Sequence, residues 1–482
     1  MNKRQLRLQL TFVYTIMVLA VLSIVAVLVL VIQGYRYNSY DGKLEQGGLV
    51  QFDSQPTGAN VTVDSVTLAN KTSSRIVLTA GDHHITLARD GYNSWQKDVT
   101  VHPGKVLWLN YALLYPTQPT VNTVAKFATA SSALTSPNRH TMAIIGNSES
   151  PRISLATLNN ATPTVRTVTL PDTAYTAPDD GTAQAFRLIE WDKDSHLLLV
   201  RHDVNGMQEY LSVDTRDMSR TVNISSALGV AATSAMYALN DTNTVYILNE
   251  AHELRRANIA DSTVSGPLAS NVGSFRVTEP NVIMYETLPD ESGQRIVGYV
   301  SSGSTKAKVL SSYSGLGKGV LMASSGIYYG DHYVAIAHGA TLDIMRGNLM
   351  SSGNNDMPAL QHIAEVALPE GMRYIGFTSE DSRMVYAAGG NKVLVYDLEL
   401  DASSTVNLAA PLTRQPDWIN GYHLASAGGA GYYYDFDGTN GQLFAPSTVD
   451  LPIALDSSER YLYYFAKDGD GVMLHQIKLR VS

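Results

Sequence analysis

Three patterns of hydrophobic and polar residues follow one another along the chain. From Thr11 to Ile32 the run TFVYTIMVLAVLSIVAVLVLVI contains no charge, Pro or Gly in 22 residues. At about 1.5 Å per residue a helix of this length spans ~33 Å, enough for the hydrocarbon core of a bilayer. Apolarity on every side argues against a soluble helix, which keeps one polar face. A cleaved signal peptide has an apolar core of about 7–15 residues and a small-residue cleavage site. The exit Val31-Ile32-Gln33-Gly34-Tyr35 has no such site. The pattern predicts a transmembrane signal anchor over 11–32, a cytoplasmic stub over 1–10 and a polar linker over 33–47. From Leu49 the period falls to two. The runs LVQFDS, ANVTVDS, SRIVLT, HHITLARD, SWQKDVTVH and KVLWLNYALLYP are strand-length and separated by Gly, Pro, Asp and Asn. They predict a small β-sandwich over 48–116.

After a Thr/Pro-rich joint, TQPTVNT at 117–123, hairpin-like units recur. They start at Arg139, His196, Thr244, Val282, Gly326, Arg383, His423 and Tyr461, about 46 residues apart on average, which is the blade period of β-propellers. Polar bends precede the apolar strands: SPNR at 136–139, DKDS at 192–195, NDTN at 240–243, EDSR at 380–383 and DSSER at 456–460. A Gly/Asn/Asp turn and a second alternating strand follow. Such units cannot bury their faces alone, so they are expected to be the middle strands of four-stranded blades closed into a ring. The expected fold is all-β apart from one N-terminal transmembrane helix, a small β-sandwich plus a seven- or eight-bladed β-propeller over 117–482. The bend-then-strand rhythm resembles that of TolB-like and WD40-like propellers.

Within the sandwich, Pro56-Thr57-Gly58-Ala59 leads into the strand Asn60-Val61-Thr62-Val63. Ala80-Gly81-Asp82-His83-His84-Ile85 opens a later strand, and Arg89-Asp90-Gly91-Tyr92 follows it. These three spaced elements resemble the PEGA domain family over about 48–116, with Thr57 where the family tetrad has Glu. Read physically, Pro56 fixes φ, Gly58 permits a positive φ, and small Ala59 lets the strand start beneath its neighbour. Gly91 and Tyr92 read as a turn and a packing aromatic. These residues are read as structural; the resemblance implies an extracytoplasmic, non-enzymatic module of bacterial and archaeal envelopes.

Composition narrows the function. With no Cys, disulfides, thiolate nucleophiles, Cys-zinc sites and iron–sulfur clusters are excluded. Tyr (27) outnumbers Phe (9) and the charged fraction is 16%, a balance suited to half-buried sheet. The formal charge of −9 disfavours a nucleic-acid partner. Lys3, Arg4 and Arg7 precede the apolar run without an acid, which places the N-terminus in the cytoplasm and the rest outside the cell membrane. Setting those three aside leaves 32 basic against 44 acidic residues, about −12 for the exterior part. A large exterior portion without Cys fits a bacterial surface, and sequons such as Asn60-Val-Thr62 and Asn223-Ile-Ser225 then read as chance.

Catalytic patterns are sparse. G-x-S-x-G and H-E-x-x-H are absent. The Gly-rich stretch 312–320 lacks P-loop spacing, and Lys467-Asp468-Gly469-Asp470-Gly471 lacks the ligand alternation of an EF-hand. Asp435 and Asp437 read as a strand-end turn. His83 and His84 are strand neighbours on opposite faces and cannot share a metal. Trp95, Trp108 and the runs Tyr432–Phe436 and Tyr461–Phe465 read as packing residues. No catalytic residue, metal ligand or cofactor is expected. The expected function is non-catalytic, a membrane-anchored cell-envelope binding or scaffolding protein. Its partners would be the bilayer through 11–32 and an envelope protein or cell-wall glycan. One alternative is a glycan-cleaving propeller, which calls for carboxylates converging on the central funnel. The other is an envelope assembly factor.

Overall fold

The computed structural model describes residues 3–32, 34–38, 43–349, 360–378 and 381–480. Parts of the stub, the linker and the Glu380 bend position lie outside the described residues. A helix runs Lys3–Ile32, and its segment Thr11–Val31, of mean hydropathy 2.9, is long and apolar enough to cross a membrane. It is a candidate membrane anchor or signal sequence. The polar stretch read as a linker carries a short antiparallel ladder, Tyr35–Asn38 against Lys43–Gln46, which its Gly-containing composition did not suggest.

Residues 48–113 form two sheets. One has three strands in the order Ser74–Leu78, Gly48–Gln55, Val106–Leu113; the other has four, Val66–Lys71, Asn60–Val63, Gly81–Ala88, Trp95–Val101. Alternation decides the faces: Val50, Phe52 and Leu109 on the first sheet and Val61, Val63, Ile85, Leu87 and Trp95 on the second are buried. Trp95 meets Tyr111 of the other sheet edge-on at 5.8 Å, so the sheets pack face to face. Trp108 departs from the expectation of a core residue. It sits opposite Gln51 and is half-buried, because the inward positions of its strand are its neighbours Leu109 and Tyr111.

Residues 120–478 form eight four-stranded antiparallel sheets. The first strands of blades 1 to 8 are Ser132–Thr135, Gln184–Trp191, Ala232–Tyr237, Val272–Glu279, Leu321–Tyr328, Met372–Phe377, Asp417–Trp418 and Ala454–Leu455. The hairpins read from the sequence are the second and third strands of their blades, except that the unit read from Gly326 begins within the first strand of blade 5, ahead of its second and third strands Asp331–His338 and Thr341–Gly347. Blade 8 takes its fourth strand, Thr120–Phe127, from the start of the region, pairing Thr120 with Lys478. Shared cores join consecutive blades: Phe186 and Leu198 of blade 2 with Ala143 and Ile145 of blade 1, and likewise blades 2–3, 3–4, 4–5 and 5–6. Tyr386 against Trp418 joins blades 6 and 7, and Phe444 against Tyr464 joins blades 7 and 8. Tyr463 and Leu474 of blade 8 pack with Met142 and Ile144 of blade 1, closing the ring. The result is an eight-bladed β-propeller.

Candidate functional site

The motif residues of the sandwich form a fastened corner. Gly58 has φ +87°, and its N–H donates to the Thr72 carbonyl at 2.8 Å. The Thr72 hydroxyl accepts from Ala59 N–H at 2.9 Å and meets Ser54 Oγ at 2.6 Å. Ser54 Oγ also donates to the Pro56 carbonyl at 2.8 Å, and Arg89 donates to the Thr57 carbonyl. Ala59 is fully buried beneath this corner. Gly81, φ +131°, opens its strand; Gly91, φ +82°, makes the turn that lets Tyr92 bury and bridge to Pro116. His83 and His84 use separate carboxylates, Asp64 at 2.5 Å and Asp98 at 2.6 Å.

In the propeller, the polar bends join first to second strands and stabilise one another. The buried Asp192 carboxylate accepts the N–H groups of His196 and Leu197 at 2.7 and 2.6 Å. Asp456 does the same for Arg460 and Tyr461 at 2.7 and 2.6 Å. Three residues after these acids, Ser195 and Glu459 take φ of +61° and +51°, the left-handed step that short polar bends require. Neighbouring bends also touch: Asn138 N–H donates to Ser195 Oγ at 3.2 Å, and Asn420 donates to Glu459 at 2.9 Å. Arg383 is buried against Asp397 at 2.6 Å and Glu399 at 2.7 Å. The bend contacts thus tie these described residues to one another.

The first strands carry three carboxylates among the described residues, Glu190, Glu279 and Asp417, each with its own partner. Glu190 accepts the Tyr237 N–H, and burial pushes its carboxyl up to about 8 against that bond. Glu279 pairs with His332 at 2.7 Å, a hydrogen bond that raises the imidazole above its ordinary value despite burial. Asp417 is held by Arg414. On the second strand of blade 4, Glu286 is held by Arg276 at 2.8 Å and Ser274 at 2.6 Å. These groups do not share a hydrogen bond or an ion pair.

A cleft of 740 Å³ opens between blades 2 and 3, on the side away from the bends. Its floor follows from a truncated sheet. The third strand of blade 2 runs Met207–Asp214, but the fourth, Val222–Asn223, pairs it only at Leu211 and Ser212. The chain then leaves in a short helix, Ile224–Leu228. Asn223 caps that helix by accepting Ser226 N–H, and Gly229 ends it at φ +61°. Ser225 Oγ accepts the Tyr210 N–H at 3.1 Å. That amide points away from the second strand, so by strand alternation the backbone of Gln208 points the same way. No strand of the blade covers Gln208 there. Beside it, Met207 is 59% exposed and Glu250 is exposed.

Behind this edge the polar groups are saturated. Burial works against ionisation of Glu209, but bonds from His202 (2.8 Å), Thr176 N–H (2.8 Å), Asn223 (2.8 Å) and the Thr176 hydroxyl (2.9 Å) outweigh it and hold the carboxyl at about 2. Arg201 pairs with Asp203 at 2.8 Å. Asn223 spends its amide on Glu209 and on the helix cap. The cleft therefore offers an exposed backbone edge, an apolar Met and the exposed carboxylate of Glu250, with the charges behind the edge paired. Sequence reasoning missed it, since a two-residue fourth strand has no periodicity to read.

Fold and geometry together define an eight-bladed β-propeller accompanied by a small sandwich. The family model for the PEGA domain matches residues 48–115. No curated protein matches the chain. Among solved structures, Sqt1 of Saccharomyces cerevisiae is similar at 13% identity and TM-score 0.44, over 75% of this chain and 98% of that one. The β-propeller domain of Cps50 (Swd1) from Myceliophteria thermophila is similar at 10% identity and TM-score 0.42, over 74% and 99%. An oligogalacturonate lyase from Vibrio parahaemolyticus is similar at 10% identity and TM-score 0.36, over 64% and 96%. At these levels the likenesses carry no argument about ligand or activity.

Proposed function

We propose that this is a non-catalytic binding or scaffolding protein of the bacterial cell envelope. The helix over 11–32 anchors it in the cell membrane with its N-terminus in the cytoplasm, and the propeller is the binding module. The observation that carries the reading is the uncovered edge at Gln208 beside the 740 Å³ cleft. Exposed sheet edges accept an extended peptide as an added strand, whose main-chain bonds give affinity and whose alternate side chains enter flanking pockets. Met207 and the segment 229–233 supply such flanks. An envelope protein with an extended segment is thus the partner favoured over a wall glycan. The apolar helix and the Lys3, Arg4 and Arg7 flank support the anchor.

A glycan-cleaving activity finds less support. It calls for a second carboxylate near Glu190, and Glu279 and Asp417 are engaged by His332 and Arg414. The test is cosedimentation of the detergent-solubilised full chain with isolated cell walls, with and without their proteins stripped. Binding to unstripped walls only, lost in Gln208→Pro, is the expected result. Binding that persists on stripped walls would make the ligand wall polymer. Binding unchanged by Gln208→Pro would refute the edge as the contact.

A further inference from the structure

Blade 5 brings metal-ligating side chains together in a way its sequence conceals. Its last two strands are Thr341–Gly347 and Leu360–Ala367. On a regular strand His362 and Glu365, three residues apart, would face opposite sides of the sheet. Here the register slips: Ile344 pairs with Ala364, but Met345 pairs with His362. Ile363 is the extra residue of a β-bulge, and the bulge turns His362 onto the face that carries Glu365. Asp343 lies directly opposite Glu365 on that face.

The ligating atoms of Asp343, His362 and Glu365 all lie within 4.8 Å of one another. His362 Nε2 is 3.6 Å from Asp343 Oδ1, close to the ~3.4 Å edge of a tetrahedron with metal–ligand bonds of about 2.1 Å. The other oxygen, Asp343 Oδ2, accepts a hydrogen bond from His338 Nε2 at 2.9 Å. The His338 ring lies against Tyr313 of blade 4, with centroids 4.6 Å apart. His338 therefore fixes the carboxylate so that Oδ1 is turned towards His362, the outer-sphere arrangement that orients ligands in metal sites. The His362 side chain is 54% exposed and that of Asp343 21%, so an ion can enter from solvent.

We propose that Asp343, His362 and Glu365 bind a divalent first-row transition metal, Zn²⁺ being the best fit, with His338 as a positioning residue. An imidazole with two carboxylates suits Zn²⁺, whereas Ca²⁺ and Mg²⁺ take oxygen ligands throughout. Three protein ligands leave a fourth position for water on the solvent side. The ion would also clamp the fourth strand of the blade to the third across the bulge.

The test uses the full chain in detergent, without a histidine tag, stripped of metal and titrated with ZnCl₂ against a chromophoric chelator. One Zn²⁺ per chain is expected. His362→Ala and the near-isosteric Glu365→Gln should each weaken binding by about tenfold or more, while His102→Ala, an exposed sandwich histidine, leaves it unchanged. Both site variants alter exposed side chains, and matching circular dichroism without metal confirms that they fold. Absence of saturable binding in the unaltered chain, or binding that survives His362→Ala and Glu365→Gln, overturns the proposal.

Discussion

Glu190 offers the sharpest test of the propeller's interior. Its carboxyl is pushed by burial from 4.5 up to about 8, with only the Tyr237 N–H working the other way. Below pH 4.5 it is protonated in the folded and unfolded chain alike and contributes nothing to pH dependence. Between 4.5 and about 8 the folded chain holds one proton more than the unfolded chain, so stability falls as pH rises; above about 8 both are ionised and the fall is complete. At about 1.4 kcal/mol per pH unit, this interval sets a ceiling near 5 kcal/mol, and relaxation of the surroundings lowers the expected loss to about 2–4 kcal/mol. Glu190→Gln keeps an oxygen for the Tyr237 N–H and removes the titration. The variant should gain on the unaltered chain from pH 5 to pH 8.5, ending about 2–4 kcal/mol ahead by urea unfolding. The raised imidazole of His332 adds a slope of the same sign, since its pairing with Glu279 is lost as pH rises through its folded value. It is present in both chains and cancels in the difference. Infrared spectroscopy gives an independent reading, because the carbonyl stretch of the protonated carboxyl should vanish in Glu190→Gln. Parallel pH–stability curves for the two chains would refute a neutral Glu190.

Two further substitutions probe how the blades are built. Asp456→Ala removes the buried acceptor of the Arg460 and Tyr461 N–H groups and should cost about 1–3 kcal/mol, because the Tyr461 donor is buried and a buried donor left unsatisfied costs about that much; Asp194→Ala, in the blade 2 bend, should stay within about 0.5 kcal/mol. An Asp456→Ala urea midpoint matching the unaltered chain would count against the bend as a fastening. Gly389→Ala places a Cβ 2.3 Å from the Gly371 carbonyl oxygen and 2.4 Å from Met372 Cα, so backbone must move and blade 6 should lose about 3 kcal/mol. Gly266→Ala, with nothing within 4 Å, is its control, and equal melting temperatures for the two would contradict the packing described.

What could be read from the chain and what could not divide along the range of the interactions. The eight hairpins are local: an apolar run, a turn (tight at Asn205-Gly206 in blade 2, longer in blades 1, 3 and 4) and a second run specify their own pairing. The bend acids are local too, as Asp192 caps amides four and five residues on. Strand Thr120–Phe127 is different. Its partner residues begin at Lys478, so nothing nearby marks it as a blade strand, and TQPTVNT at 117–123 reads as a joint. Choosing between seven and eight blades likewise required the closing contacts of Tyr463 with blade 1. The cleft escapes notice because it comes from pairing that stops: Val222–Asn223 is too short to show a period. In blade 5 period two misleads outright, placing His362 and Glu365 on opposite faces. Yet a trace of the slip is visible, because Ile363 and Ala364 stand side by side between two polar residues where a regular half-buried strand would alternate. Ala364 and Val366 belong to the core shared with blade 6, whereas Leu360 packs towards blade 4. The phase of burial therefore changes between His362 and Ala364. Where two strictly alternating stretches meet out of phase, the slip itself is the sequence mark of a bulge, and the polar residues on either side of it are the ones to examine for shared chemistry.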